Sequence, residues 1–337
     1  MKKQIIAITM GDPAGIGPEI ILKAFSENRI NKEALVVVIG DYAVMSHYAQ
    51  LLGITYPMVQ VSSFDNLLSD DSLANTIPIY EPAPLSADQW SVGEVSRFCG
   101  DAAFTYITTA IDLAKAGTID GVVTAPINKE ALHLAGHKYP GHTEIFAEKT
   151  GTENFTMLFR VEGISVVHVT THCSLRTALD TISTQKVLQN INLLQDSLLA
   201  LGIKNPRIAV AGVNPHAGEG GLFGDEEIKE ITPAIKLAQE TGLDVTGPYP
   251  PDTVFMKAFK GEFDGIVAML HDHGFVALKS KDFENGVNIT IGLPIIRTSV
   301  GHGTAFDIAG KGIASTKSLE SAIDAAVKMS IFKENHK

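Results

Sequence analysis

Short β-branched runs recur along this chain and alternate with longer amphipathic stretches, and that alternation narrows the fold more than any other feature. The runs are IIAITM (5–10), ALVVVIG (34–40), GVVTA (121–125), ISVVHVT (164–170), RIAVAGV (207–213), GIVAML (265–270) and VNITIGL (287–293). A strand that is apolar throughout has both faces covered, which points to a parallel sheet between helical layers. Helix-period patterns lie at 94–116, 184–201, 226–241 and 317–332. Gly117 and Gly242 are placed to stop two of these helices, and Asp225 is placed to cap the one that Gly242 stops. Residues 62–95, with their Ser, Asp and Pro clusters, read as short strands and surface connections. The expected fold class is α/β, two α/β/α domains with mostly parallel sheets. A crossover near TAPINKE (124–130) separates a discontinuous first domain, 1–125 plus 300–337, from a second at 126–299.

Bulk properties exclude several classes of function. At 337 residues, with 45% hydrophobic and 19% charged side chains, the chain has material for a sizeable core. A formal charge of -11 with no dense Lys/Arg run argues against nucleic-acid and anionic-membrane partners, which both need a basic face. Cys99 and Cys173 are too few for a disulfide framework and fit a reducing compartment. Cys173 sits beside His172, yet a lone cysteine reads better as a small polarizable filler than as a ligand or nucleophile. The first apolar stretch is too brief for a signal peptide core and reads as a buried strand, and no window approaches a membrane span. The expectation is a soluble, cytoplasmic protein that acts on a small molecule.

Chemistry concentrates where apolar runs give way to polar turns. His172, His216 and His271 each follow such a run, and in open α/β folds that is the edge where ligands bind. Three converging imidazoles suit a divalent transition metal with one coordination position left open. Asn214, Asp272 and His273 are neighbours able to orient them, and His302 is a spare candidate. GDPAGIGPE (11–19) lacks the last glycine of a dinucleotide fingerprint and the Lys-Ser/Thr of a P-loop. It reads as a strand-to-helix turn in which Asp12 and Glu19 are able to face a cleft. YPGHTEIFAEKTG (139–151) offers His142, Thr143 and a helix N-terminus to an anion. Lys279 suits a phosphate or a proton transfer, while Arg297 interrupts an apolar stretch and needs an anionic partner there. GHGTAFDIAGKG (301–312) resembles the adenosine-binding loop of the isocitrate and isopropylmalate dehydrogenases, which bind NAD(P) without the Rossmann fingerprint.

Taken together, GDPAGIGPE, TAPINKEAL, GHTE, TTHCSLR, NPHAGEGG, HDHG, GVNITIGLPIIRTS and HGTAFDIAGKG resemble the 4-hydroxythreonine-4-phosphate dehydrogenase family over essentially the full length. The resemblance implies an isocitrate/isopropylmalate dehydrogenase-like fold and a homodimer with shared active sites. It implies His172, His216 and His271 as ligands of a divalent metal (zinc, cobalt or magnesium), the first from one subunit and the other two from its partner. It further implies His142, Thr143, Lys279, Asn288 and Arg297 as substrate-binding positions. Gly301, His302, Gly303, Thr304 and Asp307 match the NAD pocket, and Lys279 and Asp252 are the candidate proton carriers. His273 stands where the biosynthetic enzymes carry glutamine, and THCSLR replaces a proline-containing turn, so the chain leans toward the 4-phospho-D-threonate 3-dehydrogenase branch. The implied reaction is NAD-dependent oxidative decarboxylation of 4-phospho-D-threonate or 4-phospho-D-erythronate. The 4-hydroxythreonine-4-phosphate reaction of pyridoxal phosphate biosynthesis is the alternative. A metal-dependent hydrolase or lyase, and a two-lobed binding protein, are the competing classes.

Overall fold

The computed structural model describes residues 3–282 and 284–336. The chain divides into two compact units, Met1–Glu153 with Leu293–Ile331, and Asn154–Gly292 with Phe332–Lys337. The first crossing therefore follows Glu153, downstream of the 125/126 border read from the sequence. The reason is local: the helices Lys129–Leu134 and His142–Thr150 both pack on the long helix Arg97–Lys115 of the first unit. The TAPINKE turn leads back onto its own unit.

Unit 1 carries β1 (Gln4–Thr9), β2 (Ala34–Ile39), β3 (Met58–Val61), β4 (Ile77–Tyr80), β5 (Gly121–Thr124) and the last strand, β12 (Arg297–Val300). They hydrogen-bond in the order β3-β4-β2-β1-β5-β12, with every neighbour parallel. Unit 2 carries β6 (Thr156–Val161), β7 (Ile164–His168), β8 (Ile208–Ala211), β9 (Val245–Tyr249), β10 (Gly265–Ala268) and β11 (Val287–Ile291). Its order is β11-β6-β7-β10-β8-β9, antiparallel across β11, β6 and β7 and parallel from β7 onward. The expected α/β class with mostly parallel sheets is what the chain adopts. β1, β5, β8 and β10 are buried at every residue, as continuous apolar runs in a helix-covered sheet must be.

Gly117 (φ 72°) and Gly242 (φ 88°) terminate their helices in the left-handed region as read from the sequence. The helix foreseen at 226–241 begins instead as a wide i→i+5 turn, Glu227–Ile231, before Thr232–Glu240 continues as α-helix. Asp225 serves that turn through its carbonyl, which accepts from the Ile228 and Lys229 amides. Cys173 is exposed, so it fills no gap, and Cys99 is the buried one. Among the described residues, no helix is long and apolar enough to cross a membrane.

Candidate active site

Unit 1 assembles an anion cradle at the carboxyl side of β5. Arg297 is only 3% exposed. Its Nη2 donates to Thr124 Oγ1 at 2.8 Å, its Nη1 reaches Thr143 Oγ1 at 3.5 Å, and the guanidinium lies 5.5 Å from the Phe146 ring centre. Burial pulls it down to about 9 while Glu144 opposes that shift, so it stays cationic at neutral pH. Thr143 and His142 open the helix His142–Thr150, whose N-cap, Gly141, has no side chain to satisfy the first-turn amides. Burial, then the charges of Arg297 and Lys129, hold His142 well below the usual imidazole range. Among the described residues its buried Nε2 has no hydrogen-bond partner. Open amides, a hydroxyl, a neutral imidazole and a guanidinium together suit an oxyanion. Three of the five substrate positions read from the sequence, His142, Thr143 and Arg297, are thus grouped in this unit.

The two glycine-rich loops of unit 1 lean on each other. The Ile16 amide donates to Thr304 O at 3.0 Å, and a Cβ on Gly15 would stand 3.0 Å from that of Thr304, so a side chain at Gly15 would crowd it. Asp12 and Glu19, read as able to face a cleft, are fully buried. Glu19 accepts from the Gly310 and Ala314 amides at 2.9 Å each and so anchors the 301–312 loop. Within that loop the Gly301 amide donates to Ser318 Oγ. His302 Nδ1 lies 3.1 Å from Gly303 O, its Nε2 is buried with no hydrogen-bond partner among the described residues, and Asp307 is exposed. Asp12 Oδ1 accepts from the Ala14 amide, while burial raises its carboxyl to about 7 against hydrogen bonds from Ala14 and Asn128 that lower it. The folded chain then holds a proton there that the unfolded chain releases near pH 4. The Asp12 contribution to stability should be full below that pH and lost as pH rises toward about 7. Asp12→Asn should be thermally more stable than wild type at pH 8, and the gap should close at pH 4. A gap independent of pH in melting experiments refutes a protonated Asp12.

In unit 2 the imidazole that closes a strand is His168, the last residue of β7, which the sequence reading passed over. His172 lies in the turn beyond it and is exposed. His271 opens the helix His271–Lys281 after β10. Because β7 and β10 are parallel neighbours, both turns emerge at the same edge, and the His172 and His271 rings come within 5.7 Å. Two rings bound through nitrogen to one tetrahedral ion would have centres about 5 Å apart, given metal–nitrogen distances near 2 Å. Asp272 Oδ1 sits 2.8 Å from His271 Nδ1, which leaves Nε2 as the nitrogen for a ligand. That pair fits a cation. Among the described residues, however, no three His, Cys, Asp or Glu of one chain are grouped to hold one.

His216 lies apart in a run of left-handed residues, His216 to Gly220, with Phe223 as its ring neighbour at 6.2 Å. Glu227, also missed in the sequence, holds this loop. It is buried, and its Oε1 accepts from the Val213 and Asn214 amides at 2.7 and 2.8 Å while Oε2 takes Asn214 Nδ2 at 2.9 Å. Glu227→Ala strands these buried donors and should cost about 3 kcal/mol in urea unfolding. A loss within error refutes the anchoring role. His216, Asp252, Asp272 and His273 line one cavity of about 670 Å³ whose apolar wall includes Phe255 and Met256. Lys279 is exposed on the His271–Lys281 helix with Nζ 5.0 Å from the Phe275 ring centre, and Asn288 is half-buried on β11 opposite Phe159.

Comparison with known proteins decides the family. The model of the pyridoxal phosphate biosynthetic protein PdxA matches residues 32–326. The chain belongs to the PdxA family. It is 50% identical to a 4-hydroxythreonine-4-phosphate dehydrogenase of Beijerinckia indica, over 97% of this chain and 95% of that one. It is 47% identical to a D-threonate 4-phosphate dehydrogenase of Salmonella typhimurium, over 98% of this chain and all of that one. A crystal structure of a 4-hydroxythreonine-4-phosphate dehydrogenase from Klebsiella pneumoniae superimposes with a TM-score of 0.85 at 45% identity, covering 97% and 98% of the two chains. PdxA relatives of both names are dehydrogenases, and the chain is an enzyme of that type.

Proposed function

We propose that this PdxA-family chain oxidises and decarboxylates a phosphorylated 3-hydroxy acid, 4-phospho-D-threonate or 4-phospho-D-erythronate, with NAD and a divalent metal. The observation that carries this reading is the His172–His271 pair with Asp272 on its outer nitrogen. It supports a cation held by two ligands of one chain and His216 of a second copy. Exposed Leu222, Met256 and Val276 on unit 2 support such a homodimer. Two free cysteines support a cytoplasmic setting. When bound, the metal supplies Lewis acidity to a substrate oxygen and NAD supplies the hydride acceptor.

The chain's own residues bind and orient. His142, Thr143 and Arg297 would hold the phosphate in unit 1, remote binding that fixes the reacting carbon. In unit 2, Lys279 and Asn288 are proposed substrate contacts, with Asp252 or Lys279 moving the hydroxyl proton. Gly301, His302, Gly303, Thr304 and Asp307 are proposed to hold NAD on the loop that Glu19 anchors. Purified protein with NAD should form NADH and CO2 with 4-phospho-D-threonate or 4-phospho-D-erythronate, more slowly with 4-hydroxythreonine 4-phosphate, and not at all after chelation. Faster turnover of the amino compound reverses the branch assignment. Substrate consumption without NADH leaves the hydrolase or lyase reading standing.

A further inference from the structure

His168 is a buried imidazole that the proposed chemistry leaves without a task. It is 2% exposed, and among the described residues neither ring nitrogen has a hydrogen-bond partner. Its ring lies flat on Phe275, 4.7 Å between centres at 5°, and Phe275 in turn lies 4.5 Å from His271. A phenylalanine or leucine would fill the same space without burying two polar atoms, so packing alone does not account for a histidine.

The position of Nε2 shows what the nitrogen faces. A Cβ placed on Gly274 would stand 2.1 Å from it, so the ring edge rests on the backbone of the first turn of the His271–Lys281 helix. The N-cap of that helix, Leu270, provides no side-chain acceptor for the first-turn amides. Gly274 is required here for space, because no side chain fits between its Cα and the ring. The Nε2 lone pair lies beside the first turn, where the partial positive charge of the helix N-terminus favours it, although among the described residues it accepts no hydrogen bond. It also needs the tautomer with its proton on Nδ1.

We propose that His168 is a positioning residue that sets the first turn of the His271–Lys281 helix and, through Phe275, the direction of the His271 ring. Asp272 fixes one nitrogen of His271, and the His168–Phe275 stack fixes the plane of the ring. The inference rests on His271 being a metal ligand, and its test separates the two claims.

Co2+ is titrated into the metal-free 337-residue protein, with affinity read by calorimetry and coordination by the visible spectrum. His271→Ala should abolish specific Co2+ binding; if it does not, the ligand reading fails, and this inference with it. His168→Phe should keep the wild-type circular dichroism and melting temperature, bind Co2+ about 10-fold more weakly and shift the spectrum. His168→Gln, which keeps an acceptor near the Nε2 position, should recover most of the affinity. Gly274→Ala probes the same contact from the helix side and should weaken Co2+ binding even if His168→Phe fails to fold. Wild-type affinity and spectrum in His168→Phe or Gly274→Ala, with binding lost in His271→Ala, overturn the positioning role alone. Equal impairment of His168→Gln and His168→Phe also overturns it.

Discussion

Mixing inactive His172→Ala chains with inactive His216→Ala chains is expected to restore about a quarter of wild-type turnover after subunit exchange. Each single variant should lose on the order of a thousandfold in rate, since Lewis-acid assistance is worth several kcal/mol. Half of the exchanged dimers are hybrids, and each hybrid regains one complete set of three imidazoles while its other site carries both defects. The pairing within the chain makes a sharper prediction. His172 and His271 stand 5.7 Å apart on neighbouring parallel strand ends of one chain. His172→Ala mixed with His271→Ala should therefore recover nothing, because each hybrid site lacks one of the two. Recovery in that second mixture would put the two ligands on different subunits, as the family resemblance implies, and would remove the pairing proposed here. No recovery in either mixture, with exchange verified by mass spectrometry, would remove the shared site.

The sequence made the buried strands legible because both faces of a parallel sheet are covered, so β1, β5, β8 and β10 read as unbroken apolar runs. It did not show β12, whose first residue is the buried Arg297, nor β6, whose sequence TMLFRV mixes polar and apolar residues. The domain border was misplaced for a similar reason: a turn after a buried strand looks the same whether the chain leaves the unit or doubles back. The turns that carry His172, His216 and His271 were visible as polar breaks after apolar runs. Which rings meet was not, because that depends on β10 lying between β7 and β8. His168 was hidden inside an apolar run, where a histidine reads as core. Glu227 carried no mark of its own within the helix-period stretch 226–241, yet it is a buried acceptor for the NPHAGEGG turn. In both cases the signal was weak because the group faced is mainly backbone, which carries no sequence mark.

Arg297 offers the other large effect, and stability and binding should move in opposite directions. Its guanidinium is buried against two threonine hydroxyls and the Phe146 ring, so the folded chain keeps a desolvated cation where an apolar residue would fit. A buried cation carries a desolvation cost that an apolar side chain of similar volume avoids. Arg297→Met should therefore melt at or above the wild-type temperature. Charge-assisted hydrogen bonds contribute about 1.5–3 kcal/mol each, so kcat/KM for the phosphorylated substrate should fall on the order of a hundredfold. Arg297→Lys should fall between the two, because a point charge cannot reproduce the planar fork. Inorganic phosphate separates this account from a purely structural one. It should raise the melting temperature of wild type by mass action and leave that of Arg297→Met unmoved. A Met variant that melts early yet binds phosphate and substrate normally would make Arg297 a structural residue and empty the cradle of its main charge.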